Sequence, residues 1–457
     1  MSLSLAVNCG SSSIKFKVFA ASERVILSGS AKDVQGDSPP SFSFRHYKDS
    51  DDSGKGNPFE KKLDEATSYE ATFEAILSEV TRVLAEGEGE GPSSDSKSNK
   101  SEGNKIGVIA HRIVHGGTAT EPIVVRHGSK EEQATLDRMD AVSSFAPLHN
   151  HHAMLIVKTC LEKLPSATSV LCFDTLFHTS IPDYRTRYAI SEPKHKTPVP
   201  LKRYGFHGLS YANIVDQMSE ALDKPVQKLN IVVAHLGSGA SCCLIQGGKS
   251  QDTTMGLTPL EGLPGGTRAG SLDPSLIFHH TPDCSNTVQW SGRDISKAEY
   301  VLNKDSGFKA LTGTSNFGLI ISRAFPSDVE ASGGKSSGDE EEQKRARLTY
   351  DLYLDRLLGF LSSYIVTSLA SSEGMDALVF SGGIGEHSAR LRADVLRHFE
   401  WIEKLGNTRG GVDRERNEKE QGRRKLTLEG SKIEAWVVET NEEVECVRLA
   451  KRANEAE

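Results

Sequence analysis

Residues 3–7 form a largely apolar strand, 8–15 a turn of mostly small and polar residues, and 16–19 a second strand, so the chain opens as strand, tight turn and strand. The pattern returns where an apolar run at 229–234 leads into His235, Leu236, Gly237, Ser238, Gly239, Ala240 and Ser241 and then another strand. Between and after these hairpins the period alternates. Phe73, Ile76, Leu77, Val80, Val83 and Leu84 recur at helical spacing, 106–110 reads as a buried strand, 154–164 as a short helix, 169–173 as a strand and 211–222 as a helix. Leu348, Leu352, Leu357, Leu358 and Leu361 mark a long helix ending near Ser371. A strand at 377–380, a helix from about Ser388, a strand at 433–438 and a terminal helix opened by residues 440–443 complete the pattern. Strands alternating with helices predict an α/β fold, and two hairpins at the starts of two halves predict an internal duplication. Three stretches break the periodicity. Residues 30–62 are rich in Ser, Asp, Gly and Pro with only 41–44 alternating, and 86–104 and 326–342 are Ser/Gly/acidic; all three are expected to be surface insertions, the second a disordered loop.

Composition narrows the class without changing this outline. A chain of 457 residues is long enough for two domains. Its 37% hydrophobic and 25% charged content suits a soluble globular protein, and no apolar run is long enough to span a bilayer. A net charge of -8 argues against a nucleic-acid partner, so an anionic ligand has to rely on local cations. The first residues lack a basic stretch followed by a long apolar one, which predicts a cytoplasmic protein. Seven cysteines without a CxxC pair predict reduced thiols, and Cys242 and Cys243, adjacent in a strand, should face opposite ways.

The candidate chemistry gathers at the turns. Three serines and a lysine in 8–15 exceed what a hairpin turn needs; small residues let backbone N–H groups approach an anion, and lysine adds a point charge. A solvated turn is the competing reading. Arg112 lies between His111 and His115 at a strand end, where an anion site and a structural ion pair are both open. The string PLHNHH at 147–152 invites zinc but lacks helical ligand spacing, so a helix entry is preferred. Asp174 follows a strand at the edge that faces ligands in open α/β sheets. Phe206 and His207 are flanked by glycines, and residues 258–274 form a long Gly/Pro-rich loop with one arginine, Arg268. Glycines at 382, 383 and 385 between a strand and a helix suit a nucleotide against a helix N-terminus. No Walker A lysine motif occurs, so the chain is not a P-loop NTPase.

In order along nearly the whole chain, the strings NCGSSSIK at 8–15, HRIVHGG at 111–117, PLHN at 147–150, FDTLFH at 173–178, RYGFHG at 203–208, TPLEGLPGGTRAGSLDP at 258–274, SGGIGE at 381–386 and TNEE at 440–443 resemble those of acetate kinases. These belong to the acetate and sugar kinase, chaperone ATPase and actin superfamily. The resemblance implies two duplicated ribonuclease H-like (actin-like ATPase) domains, with mixed β-sheets flanked by helices and an active site in the interdomain cleft. It divides the chain into an acyl/phosphate domain, 1–178 plus 443–457, and a nucleotide-binding domain, 179–442. It implies Mg2+-dependent transfer of the ATP γ-phosphoryl group to acetate, giving acetyl phosphate and ADP, in a homodimer. By the same resemblance Arg112, Asp174, His207 and Arg268 form the catalytic group, and Asn8 and Glu442 associate with the metal. Lys15 with Ser11 and Ser13 contacts phosphate, while Val114, Leu148, Phe206 and Pro259 match, beside Arg112, the pocket for the acetate methyl group. Nucleotide segments correspond to His235, Gly237, Ser238 and Gly239; to Asn316, Phe317 and Gly318; and to Gly383, Gly385, Glu386 and His387.

Acetate is ionised at neutral pH, so no general base is needed to make it a nucleophile; the obstacle is repulsion between two anions, which calls for positive charge and oriented donors. The sequence departs from the bacterial pattern at the nucleotide: Ser238 stands for Asn, Asn316-Phe317-Gly318 for Asp-Phe-Arg, and His387 for Asn. The acyl and phosphoryl residues are intact, and the insertions suggest a eukaryotic version. Pyrophosphate or another nucleotide as donor, propionate or butyrate as acceptor, and a non-catalytic nucleotide switch are the alternative readings.

Overall fold

The protein, seen here in a computed structural model, is described at residues 2–10, 13–34, 39–47, 57–63, 68–86, 105–146, 150–290, 293–331, 338–400, 412–419, 422–431 and 433–456. Ser11, Leu148 and the loop expected at 86–104, apart from Glu86 itself, lie outside the described residues. Two compact units divide the chain: Met1–Leu176 with Pro193–Pro200 and Asn441–Glu457, and Phe177–Glu192 with Leu201–Thr440.

The first unit is built on β1 (Leu3–Cys9), β2 (Ser13–Phe19), β3 (Val25–Lys32), β4 (Ser41–His46), β5 (Asn57–Lys62), β6 (Ile106–Ile113), β7 (Ile123–Val125) and β8 (Thr168–Phe173). Their sheet order is β5-β4-β3-β2-β1-β6-β8-β7. Strands β1 to β5 are antiparallel neighbours, whereas β1, β6 and β8 run parallel. Every residue of β1 is buried, Ser4 and Asn8 included, as a central strand paired on both sides requires.

The second unit repeats this plan with β9 (Ile231–Leu236), β10 (Ala240–Gln246), β11 (Lys249–Thr253), β14 (Ala377–Ser381), β16 (Glu434–Val437) and the short β15 (Arg424–Lys425), in the order β11-β10-β9-β14-β16-β15; β12 (Thr287–Trp290) and β13 (Arg293–Ser296) form a separate ribbon. Strand for strand, β3-β2-β1-β6-β8 and β11-β10-β9-β14-β16 have the same order and the same parallel and antiparallel senses. The duplication expected from the two Gly/Ser hairpins is therefore present in the topology. Side chains of the second sheet alternate between two cores: Val232, Ala234 and Cys242 face the long helix Glu340–Leu369, while Ile231, Val233 and Cys243 face the helix Gly208–Ala221. The adjacent cysteines thus point to opposite faces, as their strand period demands.

Three expectations need correction. The strand suggested by the alternation at 41–44 is β4, but residues 57–62, expected within an insertion, are strand β5 of the sheet, and stacked Phe44 and Phe59, 4.6 Å apart, give this polar sequence an apolar side. Residues 326–331 and 340–342 are helical, the second as the first turn of Glu340–Leu369, where Asp339 and Glu342 form a reciprocal capping box and three glutamates complement the helix dipole. Helix Asn150–Lys163, by contrast, starts within the helix entry expected at 147–152. The glycine string after β14 is itself a helix, Gly382–His387, because it runs directly off the strand end and Glu386 accepts a hydrogen bond from Gly382 N–H at 2.9 Å.

Candidate active site

In the first unit the sheet register selects the residues. Lys15, Asn8 and Arg112 are cross-strand partners on β2, β1 and β6, so their side chains share one face near the carboxyl ends of β1 and β6. Asp174 follows the carboxyl end of β8, its N–H bonded to Ile113 O at 3.1 Å. The Arg112 guanidinium donates to both carboxylate oxygens of Asp174, from Nε at 3.1 Å and from Nη2 at 2.7 Å. Its Nη1 donates to Asn8 Oδ1 at 3.0 Å and faces Glu442 Oε2 at 3.2 Å, and Asn8 Nδ2 donates to the same Glu442 oxygen at 2.9 Å. Asp174 is fully buried and Arg112 largely so. Burial opposes the charge on Arg112, but Asp174 and Glu442 outweigh it and hold the guanidinium above its ordinary pKa.

The terminal helix Glu442–Ala456 supplies the last member of this cluster. Asn441 caps it by accepting from Val444 N–H at 3.3 Å, and Lys17 Nζ ties the entry down through Asn441 Oδ1 at 2.8 Å and Glu443 at 3.1 Å. Glu442, and not its neighbour, is the acid at Asn8. Two carboxylates against one guanidinium leave the locus net anionic, and Asn8 and Glu442 offer hard oxygen donors there, which suits a divalent ion that keeps most of its waters. Among the described residues no group of His, Cys, Asp and Glu is arranged as a three-ligand metal site. Of that string, Asn150 is the informative residue: it accepts from His115 N–H at 2.9 Å and donates to His115 O at 2.8 Å, pinning the chain after β6 beside buried Val114.

In the second unit His207 takes a left-handed backbone conformation, φ 61°, as the residue before helix Gly208–Ala221. Its Nδ1 lies 2.9 Å from Ser241 Oγ, which also bonds Tyr211 Oη. Burial raises the Tyr211 pKa well above its ordinary value, so the phenol stays protonated. Arg268 bonds Pro259 O at 3.4 Å. A Cβ built on Gly239, at the β9–β10 turn, would lie 3.0 Å from Arg268 Nη1 and 3.9 Å from His207 Nε2, so the polar ends of both side chains meet over this glycine. Exposed Ser238, at the tip of that turn, accepts from Gly266 N–H through its carbonyl at 2.9 Å, which ties the Arg268 loop to the hairpin.

The remaining nucleotide candidates separate. Asn316 and Gly318 are exposed, Asn316 capping helix Phe317–Ala324, whereas the Phe317 ring is core, 5.5 Å from Phe308 and 5.3 Å from Tyr353. His387 and Gly383 are exposed, and a Cβ at Gly383 would meet nothing. Sequence reasoning missed the supports. Arg203 donates to Glu261 at 2.8 Å, as Tyr188 does at 2.5 Å, and His178 donates from Nε2 to Phe206 O at 2.9 Å while Nδ1 meets Ser250 Oγ at 2.8 Å. Clusters RYGFHG and FDTLFH contained two of these residues, but no local signal named their partners.

Two sheets of one strand order, each with its polar chemistry at the carboxyl ends of parallel strands, are the architecture of the actin-like ATPase class, which includes phosphotransferases. A family model described as the Acetokinase family matches residues 3–448. The chain belongs to that family, phosphotransferases with a carboxyl group as acceptor that generally need a divalent metal. It is 44% identical over 453 residues to a probable acetate kinase of Cryptococcus neoformans var. neoformans, covering 98% of this chain and 97% of the relative. A propionate kinase structure from Francisella tularensis matches with a TM-score of 0.74 and 28% identity, over 99% of this chain and 100% of the other. An acetate kinase structure from Porphyromonas gingivalis matches with a TM-score of 0.71 and 26% identity, over 99% of both chains. No helix among the described residues is long and apolar enough to cross a membrane.

Proposed function

We propose that the protein transfers the γ-phosphoryl group of ATP reversibly to acetate, giving acetyl phosphate and ADP by direct in-line displacement, with Mg2+ as the divalent ion. The observation that carries this reading is the convergence of Arg268 and His207 over Gly239, where a cation and a donor reach one backbone position at 3.0 and 3.9 Å from a built Cβ. In the transfer an acetate oxygen forms a bond to the γ-phosphorus as the bond from that phosphorus to the ADP oxygen breaks, and no proton need move. Catalysis then reduces to holding two anions together and stabilising the equatorial oxygens.

Arg268 is assigned to the charge of the transferring group. His207 Nδ1 is engaged with Ser241 Oγ, so Nε2 is the ring nitrogen assigned as the donor to a phosphoryl oxygen. Arg112, fixed by Asp174, is assigned to the acetate carboxylate, which it can meet without deprotonating anything. Val114, Phe206, Pro259 and Leu148 are assigned to the methyl group. Asn8 and Glu442 would hold Mg2+, which supplies charge neutralisation on the phosphate oxygens when bound. Lys15 and Ser13 in the first unit, and His235, Gly237, Gly239, Gly383, Gly385 and Glu386 in the second, are assigned to phosphate and nucleotide. The proposal includes a cytoplasmic homodimer, to be measured by light scattering on the purified protein.

Hydroxamate capture of acetyl phosphate from acetate, ATP and Mg2+ tests the reaction directly. Acetate is expected to be the preferred acceptor in a panel with propionate and butyrate, and ATP the preferred donor in a panel with other nucleotides and pyrophosphate. Arg268→Ala should lower kcat about 100- to 1000-fold, the usual worth of one charge-stabilising contact at a transferring group, with an unchanged melting curve. Unaltered turnover in that variant removes Arg268 from the mechanism.

A further inference from the structure

Next to Arg268 the chain carries two more cations, Lys304 at the end of helix Lys297–Lys304 and Lys309 in helix Gly307–Thr312. They cannot drift from Arg268, because their segment is stitched to its loop through the backbone. Ala269 N–H bonds Leu302 O at 2.9 Å, Ser306 N–H bonds Thr267 O at 3.2 Å, and Phe308 and Lys309 N–H bond Gly265 O and Gly266 O, both at 2.9 Å. Thr267 Oγ1 adds a bond to Asn303 O at 2.8 Å. Gly307 has φ 64°, and a Cβ there would come within 2.2 Å of Gly265 O, so the two strands of chain touch at a point only glycine allows.

Neither lysine forms an ion pair with a carboxylate among the described residues, although Lys297, on the same helix as Lys304, does so with Asp283 at 2.7 Å. Lys304 is steered instead by the Trp290 ring, its Nζ 4.9 Å from the centroid. Burial, then Arg268, then Lys309 push the Lys304 pKa below the ordinary lysine value, so Lys304 feels the charge of both neighbours. Like charges fixed together by backbone bonds raise the energy of the protein alone and are relieved by a multivalent anion. The same loop holds Ser238 and Gly239 at the hairpin turn, and exposed Ser315 comes within 3.2 Å of a Cβ built on Gly266. Small residues beside fixed cations suit close approach of phosphate.

We propose that Lys304 and Lys309 bind the phosphate chain of the donor nucleotide beside Arg268 and set its preference for donors with more than one phosphate. This rests on the phosphotransferase reading above and names the part of that site which grips the non-transferred phosphates. Lys309 stands in exposed chain just before Asn316–Gly318, so it supplies positive charge in a segment where the sequence has glycine at 318.

Calorimetric titration with AMP, ADP and ATP in Mg2+ buffer, without acetate, tests it in the wild type and in Lys304→Met, Lys309→Met and Lys309→Arg. Wild-type affinity should rise with each phosphate. Each methionine variant should lose about tenfold in affinity for ADP and ATP while its AMP affinity stays within about twofold, and Lys309→Arg should keep most of the wild-type affinity. In steady state the donor KM should rise with little change in the acetate KM. Equal losses for all three nucleotides, or none, overturn the proposal. Lys309 is exposed, so its variants fold even if Lys304→Met does not. Because the titrations need no acceptor, they read the lysines independently; failure of the acetate reading shows instead as wild-type protein that makes no hydroxamate-reactive product.

Discussion

Arg112 and Asp174 form a buried bidentate pair, with contacts of 3.1 and 2.7 Å and an acid fully out of solvent. Breaking a buried pair by neutralising one member leaves the other desolvated, which typically costs about 3–5 kcal/mol. Asp174→Asn should therefore lower the urea midpoint and reduce kcat by at least about 100-fold, because Arg112 loses both the charge and one acceptor that fix its orientation. Equilibrium urea unfolding beside hydroxamate kinetics checks this; a variant of wild-type stability and turnover would show the pair to be ornamental. Both residues were legible in the sequence because each ends an apolar run, where α/β sheets put ligand-facing groups. Asn150, Glu261 and His178 were not, since their work is done on partners 35, 58 and 28 residues away, at His115, Arg203 and Phe206, and no spacing rule reaches that far. Glu442 could be told from Glu443 only once Lys17 was seen to hold the second of them.

Elements were legible where a core face imposes a period and obscure where polarity or glycine hides it. The hairpins β1–β2 and β9–β10 declared themselves because both strands are buried throughout or alternate cleanly. Strand β5 is the sheet edge and β4 lies next to it, where serines and lysines are tolerated, so most of their composition resembled an insertion. Helix Gly382–His387 defied propensity because three of its six residues are glycine and it is maintained from outside. Arg392, fully buried, donates to Gly385 O at 2.8 Å and Glu386 O at 2.7 Å and so binds the end of that helix in place of solvent. Two glycines separate folding from chemistry. At Gly205, φ 76°, a Cβ would sit 2.6 Å from the His178 ring, and Gly205→Ala should cost about 2 kcal/mol or more through overpacking and backbone strain. At Gly239 the Cβ would press on the flexible tip of Arg268, at 3.0 Å, and lie in ordinary contact with His207 Nε2, at 3.9 Å, so Gly239→Ala should fold normally but lose about tenfold or more in kcat as the guanidinium shifts. Parallel thermal melts and kinetics decide it; the opposite ranking of the two variants would refute the packing argument.

At the scale of the whole molecule the duplication was readable from one repeated phrase, strand, Gly/Ser turn and strand, and the topology then carried it through five strands of each sheet. Each unit also holds a buried histidine whose charge burial opposes, His111 in β6 of the first and His178 in the second. Burial pushes His111 down to about 3 and His178 down to about 4, the latter despite its bond to Phe206 O, which acts the other way. The unfolded chain protonates these rings near 6.5, so below that pH it binds more protons than the native state. Their stabilising effect is therefore complete above about pH 6.5 and is lost as the pH falls toward 4 and 3, at about 1.4 kcal/mol per pH unit for each ring. Asp252 and Glu386, whose pKa values burial raises, shift the balance in the opposite direction over part of this range, so the histidine contribution has to be read as a difference. Urea midpoints at pH 7 and pH 5 should fall less in His111→Asn than in the wild type, by the equivalent of about 2 kcal/mol, and likewise in His178→Asn, which tests the other unit. Whatever each variant costs at pH 7, the quantity that matters is the slope between the two pH values. Wild-type slopes in both variants would mean that these rings are already protonated in the native protein, and would withdraw the neutral donor assigned to His178 beneath the Phe206–His207 turn.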